Sequence, residues 1–564
     1  MMLSNVRVPT TAQIRALEAS WIAEANKACG DQPGSNWGQV LMEIAGRGAA
    51  LAALSLWDDN AGHVTIICGG GNNGGDGLVV ARYLTIWGVP TSCFILAKNG
   101  KEKMSTSEAQ ANLHLLQKSG CQIVFLHGGD GPESSKNQES DESKAELENL
   151  TATMDGSTLL IDAIFGTGLT RDVSALAKNV IEAINASYKP VLAIDMPSGI
   201  NSDSGQIMGV AVRAVKTVTF GYLKPGQLQH PGASHSGDLN LVDIGLPDFP
   251  IDSNDTDDKY YVTTCGAVQS VLPNRPTNSN KGTFGNLLTI AGSLGMSGAG
   301  VLCAFSALRA GAGLSYVATA RSLITSLPAE ELVYKGLSET SAQTISKEAL
   351  KEVPPLMDPI SAVVLGPGLS QNPDTVSFVL DLLDLIHKPC VIDADGLNSL
   401  AQNTASLGKP AHNFVMTPHP KELSRLTGKS VPELLANRIT ECLAAAKLFD
   451  CVVVLKGAYS VVASPDGQAY INPTGNSAMS TAGAGDVLSG IIGGLMAQGL
   501  KPLDAAVAGT YLHGKAGDIA AATIGATGIV AGDITAAIPQ ALAAITAGEV
   551  SHLEELLSAS VAGL

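Results

Sequence analysis

HVTIICGGGNNGGDGLVVARYL, residues 63–84, is an apolar run followed by a glycine-rich loop and a helical stretch. Glycines let such a loop approach a pyrophosphate closely, and the start of the following helix offers free amides and the positive end of a dipole. The loop satisfies G-x-G-x-x-G, but the next apolar run, Thr91–Ala97, ends in Lys98-Asn99-Gly100 instead of the acid that usually holds a ribose. The segment therefore predicts a strand, a ligand-binding loop and a helix that depart from the ordinary Rossmann pattern. A purely structural glycine turn is the alternative.

Short apolar runs alternate with helical stretches along the chain, which predicts βαβ units and mostly parallel sheets. The predicted strands of the first half are His63–Cys68, Thr91–Ala97, Gln122–Leu126, Leu159–Ala163, Pro190–Ile194 and Thr217–Phe220. Those of the second half are Asn286–Ala291, Leu314–Ala318, Ala362–Leu365, Pro389–Ile392, Asn413–Met416 and Cys451–Leu455, before Ala-rich helices near 501–523 and 531–546. A stretch rich in Pro, Asp and Ser at 247–259 interrupts this alternation. We therefore expect two α/β domains, 1–247 and 262–564, joined by a linker at 248–261.

Bulk composition narrows the class of protein. The 564 residues exceed what one hydrophobic core supports, and a formal charge of −17 argues against a nucleic-acid partner, which would need a basic face. Nine scattered cysteines without a C-x-x-C pair indicate reduced thiols in a cytoplasmic protein. The start of the chain lacks the apolar core of a signal peptide, and no stretch looks apolar for long enough to span a bilayer, so no membrane partner is expected. The acidic segment 128–147 is expected to be a solvated loop and a helix start.

Two further predicted strands in the first half end in an acid beside glycine and hydroxyl residues. Asp162 is followed by a glycine turn that runs to Arg171, and Asp195 is followed by Ser198 and Gly199. Ligands of open parallel sheets bind at the carboxyl ends of the strands, so these loops and the glycine loop are predicted to meet in one crevice. The alternative for each aspartate is a helix cap.

A second glycine cluster lies in the second half, where Gly483-Ala484-Gly485-Asp486 precedes an apolar helical stretch. Free amides at a helix start can stabilise negative charge that develops on a phosphoryl group. An aspartate at that point can accept a proton from a substrate hydroxyl, as in phosphoryl transfer generally. The segment predicts a nucleotide phosphate site with Asp486 as an acid or base, against the alternative that Asp486 only caps the helix.

The first half resembles the NAD(P)H-hydrate epimerase family. The resemblance rests on GGGNNGGDG (69–77), DAIFGTGLTRD (162–172), AIDMPSGINSDSG (193–205), TFGYLKPGQ (219–227) and LMEIAG (41–46). It implies a Rossmann-like three-layer sandwich in which Asp195 is catalytic and contacts the substrate. The other substrate-holding residues that it implies are Asn72, Asn73, Gly74, Gly75, Asp76, Gly166, Thr167, Gly168, Leu169, Thr170, Arg171 and Asp172. It also implies that oxygens of Asn73, Asp162 and Ser198 bind a potassium ion, and oxygen ligands suit such a hard cation.

The second half resembles the NAD(P)H-hydrate dehydratases of the ribokinase-like superfamily. The resemblance rests on the helix start at 483–486 together with NKGTFG (280–285), VLGPGL (364–369), MTPHPKEL (416–423) and VLKG (454–457). It implies a ribokinase-like α/β domain whose hydrate pocket is lined by Ala299, Gly368, His419 and the catalytic Asp486. The adenine nucleotide would be held by Lys456, Gly457, Ala458, Tyr459, Ser460 and Gly485. Asp393 and Asp395, at another strand end, either orient Mg²⁺ or cap the next helix.

Together the resemblances imply a bifunctional nicotinamide nucleotide repair enzyme. The first domain would interconvert the R and S forms of NADH or NADPH hydrated at C6, and the second would dehydrate the S form with ADP as co-substrate, giving AMP and phosphate. The family uses either ADP or ATP, and the motifs do not separate the two. A homo-oligomer is expected. The alternatives are a ribokinase-like small-molecule kinase fused to a nucleotide-binding regulatory domain, and a non-catalytic nucleotide sensor.

Overall fold

The computed structural model describes residues 5–28, 36–57, 62–97, 102–127, 141–249, 258–328, 331–406 and 413–562. These residues form two compact units. The N-terminal unit comprises the described residues between Arg7 and Asp255 and from Leu553 onward, and the C-terminal unit those up to Val6 and between Thr256 and His552. Lys98–Gly100, Cys29, residues 128–140 of the acidic segment and residues 250–257 of the expected linker lie outside the described residues.

The secondary structure alternates as the sequence predicts. The strands are β1 (Val6–Arg7), β2 (His63–Cys68), β3 (Thr91–Ala97), β4 (Gln122–His127), β5 (Ser157–Ala163), β6 (Val191–Ile194), β7 (Lys216–Phe220), β8 (Asp238–Val242), β9 (Lys259–Val262), β10 (Asn286–Ile290), β11 (Leu314–Ala320), β12 (Val333–Leu337), β13 (Ala362–Leu365), β14 (Cys390–Ile392), β15 (Phe414–Met416), β16 (Val452–Leu455), β17 (Val461–Ala463) and β18 (Gln468–Ile471). The helices are α1 (Thr11–Ala28), α2 (Trp37–Leu56), α3 (Asn72–Ile86), α4 (Ser107–Ser119), α5 (Asp141–Asp155), α6 (Ala175–Ala186), α7 (Gly232–Ser236), α8 (Cys265–Val271), α9 (Ser297–Arg309), α10 (Pro354–Met357), α11 (Pro373–Leu383), α12 (Asp395–Leu400), α13 (Pro420–Thr427), α14 (Val431–Ala436), α15 (Arg438–Phe449), α16 (Ala484–Ala497), α17 (Pro502–Ile524), α18 (Ala531–Ala547) and α19 (His552–Ala562).

The N-terminal unit is built on a seven-stranded, wholly parallel sheet with the order β4-β3-β2-β5-β6-β7-β8. Successive side chains of a strand point to opposite faces, and Ile66 and Ile67 accordingly enter two separate cores. Helices α2, α3 and α4 cover one face and α5 and α6 the other, which gives three layers. The strand order reverses between β2 and β5, the position where open parallel sheets form a ligand crevice.

The C-terminal unit has an eleven-stranded sheet, ordered β1-β9-β18-β17-β16-β15-β14-β13-β10-β11-β12. Strands β10 to β16 pair in parallel, whereas β17 runs antiparallel to both β16 and β18. The apolar helix α16 lies over the sheet and packs with α9, α17 and α18 in one large core. The order of the parallel strands reverses between β10 and β13, so this unit has its own crevice position.

The expectation that no stretch is long and apolar enough to span a membrane is wrong for α2. Among the described residues, α2 is the one helix that could cross a membrane by length and composition alone. It also buries Ala45, Ala49 and Ala53 in the core of the N-terminal unit. A core helix of this kind passes the same test of length and composition, so the test is weak evidence for a membrane span.

The loop after β2 permits a direct test of its packing. A Cβ atom at Gly74 would lie 1.8 Å from the carbonyl oxygen of Gly69, whereas a Cβ at Gly71 would meet nothing within 4 Å. Because a backbone oxygen cannot move aside cheaply, we expect Gly74→Ala to destabilise the N-terminal unit by about 1–3 kcal/mol or more. Gly71→Ala is the matched control and should change the unfolding free energy by less than about 0.5 kcal/mol. Thermal unfolding measures both, and equal melting temperatures for the two variants would contradict this account.

Candidate active sites

The glycine loop after β2 is interlocked with the loop after β5. A Cβ at Gly69 would lie 2.0 Å from the carbonyl oxygen of Ile164, so only glycine allows the two loops to approach this closely. Helix α3 begins at Asn72 without a side-chain hydrogen bond at its cap, which leaves amides at the helix start for a ligand. Gly75 faces away from this start: a Cβ there would meet Met42 and Ala109. Packing between helices therefore accounts for Gly75.

The predicted residues Asn73, Gly166 and Asp195 come together beside that helix start. A Cβ at Gly166 would lie 2.9 Å from Asn73 Oδ1 and 3.2 Å from Asp195 Oδ2. Both polar atoms of the Asn73 amide are buried and have no hydrogen-bond partner among the described residues. A buried polar group without a partner costs free energy, so this amide is placed for a ligand or an ion. By contrast Asn72, Gly168, Thr170, Arg171 and Asp172 are exposed.

Asp162 is completely buried at the end of β5 and is tied to Ser198. It accepts hydrogen bonds from the Ser198 amide at 2.7 Å, from Ser198 Oγ at 2.5 Å and from the Ile164 amide at 3.2 Å. Burial raises the pKa of Asp162 to about 6 although these hydrogen bonds lower it. No ion pair to Asp162 occurs within the described parts of the chain. A buried carboxylate and an unsatisfied amide oxygen nearby fit a monovalent cation with oxygen ligands.

Asp195 follows β6 in a left-handed backbone conformation with φ at 64°, which is uncommon outside glycine and asparagine. Its Oδ1 atom forms an ion pair with Lys224 Nζ at 2.5 Å, and its carbonyl accepts a hydrogen bond from Gln227 Nε2 at 2.8 Å. Lys224 is 2% exposed and also donates to Thr219 Oγ1. Lys224 is thus a buried cation directly beside the predicted catalytic carboxylate.

The charge of Asp195 also acts on two more carboxyl groups, those of Glu18 and Asp76. Burial and the charge of Asp195 raise the pKa of Glu18 on α1, which Lys224 and Arg15 partly offset. Burial, Asp195 and Glu18 raise the pKa of Asp76 well above its usual range. Three carboxyl groups around one ammonium cannot all be charged at low cost, so the arrangement suits proton transfer at neutral pH.

Sequence reasoning missed Glu18 and assigned no role to Lys224. A signal for Lys224 existed, because it lies in the quoted segment TFGYLKPGQ. Glu18 lies in an Ala-rich helix without a motif. Its spacing from Thr11 and Ile14, which are buried on the same face of α1, was the only indication that it points inward.

In the C-terminal unit, the loops at the strand reversal bring Ala299 and Gly368 together. Gly368 has φ at 63°, and a Cβ there would lie 3.1 Å from Ala299 Cβ. Gly483, with φ at 88°, precedes α16, and its own Cβ position is 2.8 Å from Leu302 in the next turn of α9 after Ala299. The predicted hydrate-pocket residues of α9, the loop after β13 and the start of α16 therefore converge.

A buried ion-pair network adjoins Asp486 in the first turn of α16. Lys456 Nζ, at the end of β16, lies 2.7 Å from Asp393 Oδ1 and 3.7 Å from Glu422 Oε2, and 3.4 Å from the Cβ position of Gly485. Asp393 is 1% exposed and also accepts a hydrogen bond from Ser489 Oγ at 2.7 Å. Burial raises the pKa of Asp486 to about 7, with a further contribution from Asp393 that Lys456 opposes. Asp486 therefore changes protonation across neutral pH.

His419 and Asp395 also make local structural contacts. His419 Nδ1 accepts a hydrogen bond from the Glu422 amide at 3.1 Å, and the Glu422 carboxylate accepts one from the His419 amide, which caps α13. Asp395 accepts hydrogen bonds from the Ser370 amide and from Asn398. Helix α12 has no side-chain cap, and Asp395 instead ties the start of α12 to the loop after β13, whereas Asp393 belongs to the lysine network. The described residues contain no group of three His, Cys, Asp or Glu side chains placed to hold a metal.

A buried arginine donates hydrogen bonds to backbone carbonyls of the predicted nucleotide loop, 456–460. Arg438 is 5% exposed and its guanidinium donates to the carbonyls of Leu455, Lys456 and Tyr459 at 3.1–3.5 Å. Within the loop, Ser460 Oγ donates to the Gly457 carbonyl at 2.9 Å. Sequence reasoning did not single out Arg438. These contacts fix the backbone of the loop and leave Gly457 and Ala458 exposed.

The geometry defines a two-domain α/β protein with glycine-rich loops and ionisable groups beside the carboxyl ends of the parallel strands in each sheet. Residues 287–540 match the family model described as NAD(P)H-hydrate dehydratase, and residues 38–226 match the one described as YjeF-related protein N-terminus. The bifunctional NAD(P)H-hydrate repair enzyme Nnr of Moorella thermoacetica is 40% identical over 89% of this chain and 92% of its own length. Its namesakes from Thermofilum pendens and Escherichia coli are 39% and 34% identical, over 92% and 88% of this chain and 94% and 87% of their own lengths.

The chain belongs to the family of bifunctional NAD(P)H-hydrate repair enzymes. The family and the fold class expected from the sequence are confirmed. A solved structure, an ADP/ATP-dependent NAD(P)H-hydrate dehydratase of Bacillus subtilis co-crystallised with ATP and Mg²⁺, is 29% identical. It covers 50% of this chain and 97% of its own, with a TM-score of 0.43. The individual site residues and domain limits stay predictions.

The ion pair between Lys224 and Asp195 can be tested by removing one of its charges or both. Lys224→Met leaves Asp195 buried without its cation, and we expect this variant to lose about 3–5 kcal/mol of unfolding free energy at pH 8. The double variant Lys224→Met/Asp195→Asn removes both charges and should recover most of the stability. A double variant as unstable as the single one, in thermal unfolding, would contradict the ion-pair account.

Proposed function

We propose that this protein repairs hydrated NADH and NADPH with two activities. The N-terminal unit interconverts the R and S epimers at C6 of the hydrated nicotinamide ring, and the C-terminal unit dehydrates the S epimer with ADP as co-substrate. The single observation that carries the proposal for dehydration is the position of Asp486 together with its raised pKa. This carboxylate, with a pKa of about 7, lies in the first turn of α16 beside the Lys456 network. The protein is further proposed to act in the cytoplasm as a homo-oligomer, with no nucleic-acid or membrane partner.

The dehydration proceeds through a phosphorylated hydrate. Asp486 removes the proton of the C6 hydroxyl, whose oxygen takes the terminal phosphoryl group of ADP and releases AMP. The lone pair of the ring nitrogen then expels phosphate, and loss of a proton from C5 restores the reduced nicotinamide. Phosphate is a far better leaving group than hydroxide, which explains why a dehydration consumes a nucleotide. Free amides at the start of α16 stabilise the charge that develops on the transferring group.

The nucleotide is proposed to lie against Lys456–Ser460 and Gly485, with Arg438 holding the loop. Mg²⁺ is proposed to enter with the nucleotide, because this ion usually binds through phosphate oxygens, waters and one or two carboxylates. Asp393 is the carboxylate placed for that, and it fits because the acids around Lys456 outnumber this lysine. Bound there, Mg²⁺ would neutralise phosphate charge. Ala299, Gly368 and His419 line the hydrate pocket.

In the N-terminal unit we assign the substrate to the crevice between the loops after β2, β5 and β6. Its contacts are proposed to be Asn72, Asn73, Gly74, Asp76, Gly166–Asp172 and the catalytic Asp195, without Gly75, which packs between helices. A potassium ion is proposed to bind oxygens of Asn73, Asp162 and Ser198. The unsatisfied Asn73 amide and the buried Asp162 carboxylate support this assignment. Bound there, the ion would balance the Asp162 charge and order the loop that begins at Ile164.

The decisive experiment supplies the R and S epimers of hydrated NADH together with ADP and follows the return of reduced-nicotinamide absorbance. Wild type should restore the absorbance from both epimers, and Asp486→Asn should lower the dehydration rate by about 10³-fold or more. The kcat/KM of wild type should rise between pH 6 and 8, because Asp486 acts as a base and its pKa is about 7.

Epimerisation without ADP, followed by chromatography, is the internal control and should persist in Asp486→Asn. Undiminished dehydration by Asp486→Asn would remove the proposed role of that carboxylate. A stable phosphorylated product in place of reduced nicotinamide would establish a kinase instead. Replacing ADP with ATP in the same assay decides which nucleotide is used.

The potassium site can be tested without any turnover. An acid whose folded pKa is raised loses folded-state stability as pH increases from its unfolded value near 4 to about 6, and a bound cation offsets this loss. Potassium chloride should therefore raise the melting temperature of the N-terminal unit above that in choline chloride at pH 8, and much less at pH 5. Asp162→Asn should abolish the difference at pH 8. Identical melting temperatures of wild type in the two salts at pH 8 would refute the site.

A further inference from the structure

Helix α1 contacts the loops that border the proposed epimerase crevice, although no sequence motif includes this helix. The Thr11 amide donates to Asp203 Oδ1 at 2.7 Å, and Thr11 Oγ1 lies 2.7 Å from Ser202 Oγ. One turn further along, Arg15 Nη2 donates to the carbonyl of Thr167 at 3.0 Å. The helix is thus attached to the loop after β6 and to the loop after β5, which both border the crevice.

Glu18 is the acid that α1 carries toward this crevice. Thr11, Ile14 and Glu18 follow one another at three- and four-residue steps and share the face of α1 that turns toward the protein. Glu18 is half-buried and close enough to Asp195, Lys224 and Arg15 for their charges to act on it. The acid that faces it from α3 is Asp76. The unsatisfied amide of Asn73 in the same crevice independently indicates that a ligand belongs there.

We propose that Glu18 is the general acid of the epimerase site and that Asp195, paired with Lys224, is its general base. This inference rests on the proposed epimerisation of the hydrate. An acid and a base are both needed because C6 carries a hydroxyl and the ring nitrogen, so the ring opens by losing one proton and gaining another. Asp76, on α3, is assigned to binding.

The proton and electron movements balance without a further reactant. Asp195 takes the hydroxyl proton, the O–H electron pair forms the carbonyl of an open-chain aldehyde, and the C6–N1 bond pair goes to N1. Glu18 donates its proton to N1. Rotation about the C5–C6 bond presents the other face of the aldehyde, and the same steps in reverse close the ring: N1 attacks C6, Glu18 recovers its proton and Asp195 returns the other to oxygen.

The test compares Glu18→Gln with wild type and with Glu24→Gln, a matched change at an exposed position of the same helix. Glutamine mimics the neutral acid in shape but donates no proton of comparable acidity. We expect the kcat of epimerisation, above the spontaneous rate, to fall about 100-fold or more with little change in KM. Because Glu18 acts as an acid, wild-type activity should fall as the pH rises through its raised pKa, and this fall should disappear in the variant. Glu24→Gln and the ADP-dependent dehydration of the S epimer should be unaffected.

The outcomes separate this inference from the proposed function. If wild type does not epimerise the hydrate at all, the proposed function of the N-terminal unit fails. If wild type epimerises and folded Glu18→Gln keeps its kcat, the role of Glu18 is overturned. Loss of kcat in Asp76→Asn but not in Glu18→Gln would assign the acid to Asp76 and likewise overturn it. Should Glu18→Gln unfold, Glu18→Asp keeps an acid on α1, and its pH profile must shift if Glu18 titrates in turnover.

Discussion

Parallel pairing of strands is the constraint on which both sites depend. Because parallel strands end at the same edge of a sheet, the loops that leave β2, β5 and β6 meet beside one another, as do those that leave β10 and β13 to β16. The strand order reverses between β2 and β5 in one sheet and, among the parallel strands β10 to β16, between β10 and β13 in the other. Glycines at the reversal let loop backbones touch, as at Gly69 and Ile164. Many of the residues assigned to chemistry lie in these loops, whereas Lys224 follows β7, Asp486 is in the first turn of α16 and Glu18 is on α1.

The two units also share an electrostatic arrangement. In each, one buried lysine stands among three acids: Lys224 with Asp195, Glu18 and Asp76, and Lys456 with Asp393, Glu422 and Asp486. One aspartate pairs with the lysine, and burial together with the charge of that aspartate raises the pKa of the other two acids, which the lysine partly offsets. A site of this kind holds a proton donor and a proton acceptor at the same pH, which interconversion and dehydration of a hydrated ring both require.

Several strands and site residues could be predicted from particular segments of the sequence. The strands His63–Cys68, Thr91–Ala97 and Ala362–Leu365 have the predicted limits, because largely apolar runs bounded at one end or both by glycine or proline leave little freedom of assignment. Strands β1, β8, β9, β12, β17 and β18 were not predicted, since they are short or mix polar with apolar residues. Asp486, Asp195 and Asp162 were found because each follows a strand or precedes a helix beside glycine. Glu18 and Arg438 were not, because neither lies near a motif.

The sequence by itself determined the two α/β units, the glycine loops and the acids at strand ends, because these depend on local periodicity and on residues that are close in the chain. Only the tertiary structure decided which distant side chains share a site. The contacts Lys224–Asp195, Lys456–Asp393 and Arg15–Thr167 join residues 29, 63 and 152 positions apart. The protonation of Asp486 and Glu18 depends on such neighbours and on burial, and neither is a property of the residues next to them in sequence.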